Sequence, residues 1–140
     1  MSNRIQKGII AGILGTSVMT LVMYIGYIIG MPKMNPAEML AGMLGVSNTI
    51  GWLLHFMTGI IFALTYSLVF FKVIYRIKNM WLKGIVFGLA VFVFAQIALA
   101  IMPAIMGPLP EPEGNMMLIA IGSIISHLIY GITVVKFIKE

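Results

Sequence analysis

Four stretches of this chain run without one charged side chain: 8–32, 39–71, 84–110 and 114–135. Each exceeds the roughly 20 residues that, at about 1.5 Å rise per residue, carry a helix across a hydrocarbon core about 30 Å thick. Hydrophobic residues make up 61% of the 140 and charged residues only 9%, whereas about a quarter of a soluble domain is charged. Nine basic and four acidic side chains cannot cover so much apolar bulk in water. The sequence therefore predicts an all-α membrane protein, a single domain folded as a four-transmembrane-helix bundle with the lipid bilayer as its principal partner.

The spans are expected at about 8–30, 48–71, 82–105 and 115–136. The first follows Arg4 and Lys7 as a signal peptide would, but it is too long for a signal core and has no Ala-x-Ala cleavage site. The second charge-free stretch is longer than one span, and helix-start chemistry stands just ahead of it. Asn35 is placed to cap, Pro36 to open a helix and Glu38 to occupy its third position. A short interfacial helix over about 36–44 is expected, with Met39, Leu40, Met43 and Leu44 on one side. The span proper would then start near Ser47 or Asn48.

The basic residues divide unevenly between the two ends of such a bundle. Arg4, Lys7, Lys72, Arg76, Lys78, Lys83, Lys136 and Lys139 fall on one side, and only Lys33 falls on the other, together with Glu38, Glu111 and Glu113. The positive-inside rule then predicts that both termini are cytoplasmic. Tyr27 and Trp52 at one level and Tyr75 and Trp81 at the other suit the two aromatic belts. A net charge of +5 would suit nucleic acid only if the basic residues shared one face, so no nucleic-acid partner is expected. Without cysteine there are no disulfides, thiolate metal sites or thiol catalysis.

An internal repeat is visible. Lys7-Gly8-Ile9-Ile10-Ala11-Gly12-Ile13 answers to Lys83-Gly84-Ile85-Val86-Phe87-Gly88-Leu89, Met31-Pro32 to Gly107-Pro108, and His55-x-x-x-Gly59-Ile60 to His127-x-x-x-Gly131-Ile132. Two similar hairpins of like orientation imply a pseudo-twofold axis along the membrane normal, as in some transporters, although biased apolar sequence also generates such matches. The spacings Gly8-xxx-Gly12, Gly26-xxx-Gly30 and Gly84-xxx-Gly88 predict close helix contacts, inside the bundle or between protomers.

No charged side chain lies inside the spans, which argues against a carboxylate proton relay. Neutral polar residues remain. Asn48, Gly51, His55, Thr58 and Thr65 follow three- and four-residue steps on the second span, as do Ser123, Ser126, His127, Tyr130 and Gly131 on the fourth. Thr16, Thr20 and Gln96 complete the set. All are expected to face inward, with His55, Thr58, Gln96, Ser126, His127 and Tyr130 as the candidate functional or helix-packing residues. The first reading of the two histidines is hydrogen-bonded glue between helices, and a proton-sensing or metal role is the second. Bis-histidine haem is disfavoured, because the two would differ in depth by about 7–8 Å. Met31, Met34, Met39 and Met43 cluster near one face, where thioether sulfur suits copper(I) with His55 below, but flexible apolar filler is the simpler role.

No Gly-Lys-Ser/Thr loop, His-Glu-x-x-His helix or Gly-x-Ser-x-Gly turn is present, so no enzyme and no resident cofactor is expected. The proline-rich segment 103–112 reads as a stiff, solvated loop without helix. Gly51-Trp52-x-x-His55, Gly59-Ile60-x-Phe62-Ala63-x-x-Tyr66, Trp81-x-x-Gly84-x-x-x-Gly88 and Gly122-x-x-x-x-His127-Leu128-x-Tyr130 together resemble small bacterial inner-membrane proteins of the YagU-like group. The resemblance covers the second to fourth spans. It implies a bacterial inner-membrane location and importance for His55 and His127, and no defined activity. Three functions fit these observations: a small oligomeric carrier or channel-like protein, an accessory or scaffold subunit of a larger membrane complex, and a Met/His site for copper(I) or haem.

Overall fold

In hydrocarbon a peptide N–H or C=O has only other backbone groups to bond with, so apolar length becomes helix. The computed structural model describes residues 2–107 and 113–138. The features read at Pro108, Glu111 and Lys139, and most of the proline-rich segment, lie outside them. The elements are α1 (Ser2–Ile28), α2 (Pro36–Leu44), α3 (Asn48–Thr65), a π-helical turn (Tyr66–Phe70), α4 (Phe71–Val73), α5 (Met80–Met106) and α6 (Met116–Ile138). There is no strand among the described residues. Four helices are long and apolar enough to cross a bilayer: Asn3–Ile28, Asn48–Val73 (α3 through α4), Met80–Ile105 and Met116–Ile138.

Local chemistry sets the breaks. Asn35 caps α2, its Oδ1 accepting from Ala37 N at 3.1 Å and Glu38 N at 3.2 Å. Gly45, with φ of 63°, closes the same helix in the left-handed region, and Ser47 caps α3. Asn79 caps α5 in the way Asn35 caps α2. Pro103 departs from expectation: it lies inside α5, which runs on to Met106. Its carbonyl takes the Gly107 N–H at 3.1 Å, and a proline near the end of a membrane helix disturbs few backbone bonds.

The helices pack in the order α3, α1, α6, α5, with α2 laid on α3. Large apolar side chains point outward: Leu21, Ile28, Leu53, Ile61, Ile97 and Ile105 are all exposed. Inside, Met19, Met23, Tyr66, Phe87, Val91, Tyr130 and Val134 form the core, while Ala11, Thr16, Ala63 and Ser126, small and fully buried, and the glycines let the helix backbones approach. A Cβ added at Gly12 would stand 2.5 Å from Ile60 Cα of α3, and one added at Gly84 would stand 2.5 Å from Ile132 Cα of α6. Both glycine pairs that open the first helix of each hairpin are thus consumed inside the bundle, Gly8 and Gly12 against α3, Gly84 and Gly88 against α6. α3 and α5 meet through rings instead, Phe62 with Phe94 at 5.5 Å between centroids, and the π-helical turn adds Phe70 against Phe87 at 5.4 Å.

Candidate functional site

On α3 the buried line is Gly51, His55, Gly59 and Ala63, a run of four-residue steps. Gly51 lies on the Ala37 carbonyl of α2, and Gly59 lies on Thr16 of α1. His55 is therefore drawn inward at a place where its neighbours along the face have almost no side chain. Its Nε2 meets the Thr20 hydroxyl of α1 at 3.3 Å, and the edge of Trp52 covers it with centroids 6.1 Å apart. The contact joins α3 to α1.

Thr58 is not on this line. Three residues from His55 it swings to the opposite flank of the four-residue run, faces outward, and donates to its own helix at Leu54 O, 2.8 Å away. Thr65 does the same at Ile61 O, and Asn48 is exposed. A back-bonded hydroxyl is satisfied without a partner helix, which is why these threonines tolerate lipid.

The α6 residues behave differently from one another. Ser126 is buried and donates to Gly122 O at 2.7 Å, within the helix. His127 Nδ1 lies 2.7 Å from Ser123 O; a carbonyl only accepts, so Nδ1 carries the proton and Nε2 is the open nitrogen of the neutral ring. The ring stands edge-on to Phe92 of α5 at 5.6 Å. His55 is thus tied to α1, and His127 to its own helix and α5, so the two rings engage different neighbours. Tyr130 makes the longest reach, its hydroxyl donating to Gly59 O of α3 at 2.5 Å. It passes Gly15 of α1, where a Cβ would stand 2.9 Å from the Tyr130 ring. Beside that crossing, Thr16 Oγ1 is buried with no hydrogen-bond partner. Gln96 of α5, expected inside, faces away from the bundle altogether.

A cavity of about 260 Å³ opens between α1, the α1–α2 connection and α3, lined among others by Thr20, Tyr24, Tyr27, Lys33, Met34 and Trp52. Its inner wall is Thr20, the residue that holds His55. At its rim Lys33 Nζ is paired with Glu38 at 2.8 Å, both exposed. The bond and charge of Glu38 raise the pKa of the Lys33 ammonium above its ordinary value. Lys33 therefore keeps its charge at neutral pH, and its half of the pair is lost as pH climbs through that raised value.

Among the methionines, Met31 and Met34 fold back over Gly122 of α6, and Met34 together with Met23 lines the cavity. Met39 and Met43 do not join them, because α2 turns Ala37 and Ala41 toward α3 and leaves those two half-buried on its flanks. Among the described residues no group of three His, Cys, Asp or Glu is placed to hold a metal ion.

Two features have no counterpart in the sequence pattern. One is the cavity. The other is a clamp at the terminal end, where Ser67 Oγ donates to Arg4 O at 2.7 Å while the Arg4 guanidinium donates to Ser67 O at 3.3 Å and stacks on Phe71 at 4.1 Å. Ser67 sits in the π-helical turn, where the displaced backbone register leaves its carbonyl available.

Compared with known proteins, the chain matches a family model described as a family of unknown function (DUF6789), over residues 2–139. No curated protein matches, and no solved structure matches.

Proposed function

The chain belongs to that family of unknown function, DUF6789, and from its own geometry we propose that it is a small oligomeric carrier of the bacterial inner membrane that admits a solute at the cavity above His55. The single observation behind this is the cavity itself: a space of about 260 Å³, open at the α2 end and floored by a threonine hydrogen-bonded to a buried histidine. A pocket with a few convergent polar groups in an otherwise apolar wall is the usual form of a small-molecule site. Lys33, Asn35 and two tyrosines offer donors at its mouth. The reading is of a binding and transfer protein rather than an enzyme.

The excess of Arg4, Lys7, Lys72, Arg76, Lys78, Lys83 and Lys136 at one end over Lys33 at the other favours cytoplasmic termini. The bacterial inner membrane is part of the same proposal and rests on the residues read above as resembling YagU-like proteins; the family model that matches is DUF6789. The internal repeat belongs to the same reading: Gly59 rests against Gly12 and Thr16, and Gly131 against Gly84 and Gly88, so the two seams are alike but slipped by one helical turn.

Purified protein in proteoliposomes should pass small polar solutes or protons. His55→Ala should abolish flux while costing only about 1 kcal/mol of stability. Flux that survives in His55→Ala and Thr20→Val would refute the site, and absence of flux for protons, copper(I) and small polar solutes would refute carriage. One observation favours copper(I) among the solutes: Met23 and Met34 both line the cavity beside Thr20. Cuprous titration under reducing conditions tests it, with Met34→Leu expected to abolish binding.

A further inference from the structure

α5 is the most apolar of the four spans and the least covered by the rest of the chain. Its packed side carries Lys83, Gly84, Phe87, Gly88 and Val91. At 100° per residue the opposite side carries Leu89, Val93, Gln96, Ala100 and Pro103, spaced by four, three, four and three residues, and all five are exposed. That alternation is the seam of a left-handed pair of helices. Gln96 stands in the middle of it, about 5 Å along the axis from the centre of the span and therefore well inside hydrocarbon.

A primary carboxamide turned to lipid loses both its donors and its acceptor, and Gln96 has no partner among the described residues. Thr58 and Thr65, also outward and polar at depth, have solved the same problem by bonding to their own helix. Two of the three glycine pairs, Gly8 with Gly12 and Gly84 with Gly88, are occupied inside the bundle, whereas Gly26 meets only Met31 and Gly30 meets nothing within 4 Å at the outer end of α1. Self-association through the first two is closed off, and among the exposed faces α5 is the one that carries, at depth, a polar side chain left without a partner.

We propose that α5 pairs with α5 of a second copy of this chain through the Leu89–Pro103 seam, with Gln96 hydrogen-bonded to Gln96. A second copy is the occupant because two copies inserted the same way share a twofold axis along the membrane normal, so every residue meets its counterpart at its own depth. Only then does one carboxamide reliably find a group with both a donor and an acceptor at that level, and a glutamine is its own complement. The pairing stands independently of carriage: flux reads the cavity, whereas the following experiment reads assembly.

The chain has no cysteine, so single-cysteine variants report without background. In native membranes, Leu89→Cys, Val93→Cys and Ala100→Cys should form disulfide-linked dimers on mild oxidation, while Ile97→Cys, Ile101→Cys and Leu21→Cys should not. Gln96→Leu should weaken the dimer about fivefold in dissociation constant, measured by fluorescence energy transfer in liposomes. Gln96→Asn should restore most of it, and helicity and melting of the monomer should not change, since the substitution puts a more apolar group on a lipid-facing surface. Cross-links without the three-and-four periodicity, or transfer unchanged in Gln96→Leu, would overturn the proposal. So would a seam that cross-links only to a different protein.

Discussion

At Gly131 of α6 an added methyl would collide with the Gly84 carbonyl and the Gly88 backbone of α5, atoms that cannot rotate aside. Gly131→Ala should therefore force α5 and α6 apart and cost about 1–3 kcal/mol, read as a lower melting temperature in detergent. Gly45 makes the contrast. A methyl there would have nothing within 4 Å, but φ is 63°, so Gly45→Ala should cost about 1 kcal/mol through backbone conformation alone. A third substitution separates polarity from shape. Thr16 has a buried hydroxyl without a partner, and valine has the same outline without the oxygen. Thr16→Val should be neutral or stabilising by up to about 1 kcal/mol, and a loss of more than that would show that the hydroxyl has a partner in the membrane.

Among the elements, α2 is legible in the sequence because its signals are local: an asparagine, a proline and a glutamate in fixed order cap a helix whatever surrounds it. The four spans are legible because lipid leaves an uncharged stretch of that length one conformation. The face assignments are not. A helix that is apolar all round gives no stripe from which to tell inside from outside, so polarity alone points Thr58 and Gln96 inward when both face out. The π-helical turn is equally hidden, since it depends on what Arg4 finds when α1 is laid against α3. Arg4 is tied there by a bond to Ser67, by accepting one from it, and by the Phe71 ring. Arg4→Ala should cost about 1 kcal/mol, and its mark should be local: faster amide exchange over 66–70 with the centre of α3 unaltered. Uniform loss of protection along α3 would mean that the turn is held by packing and not by the clamp.

For the whole molecule, the start of α1, the end of α6 and all the described basic residues except Lys33 share one end, whereas Lys33, Glu38 and Glu113 share the other. Moving that distribution through a membrane the wrong way round would translocate Arg4, Lys7, Lys72, Arg76, Lys78, Lys83 and Lys136 together, which is the situation the positive-inside rule disfavours. Lys33 weakens the bias little, because it stands alone against Arg4, Lys7, Lys72, Arg76, Lys78, Lys83 and Lys136. Labelling with a membrane-impermeant maleimide converts this into a measurement. Glu113→Cys should react in intact cells, and Lys78→Cys only after the membrane is broken. The reverse result would put the cavity mouth in the cytoplasm, while equal labelling of both would mean that the helices insert in two directions. Because four passes return the chain to its starting side, the N- and C-terminal halves must agree: a tag after Ile138 should share the protection of Lys78→Cys, and disagreement between them would require a number of crossings other than four.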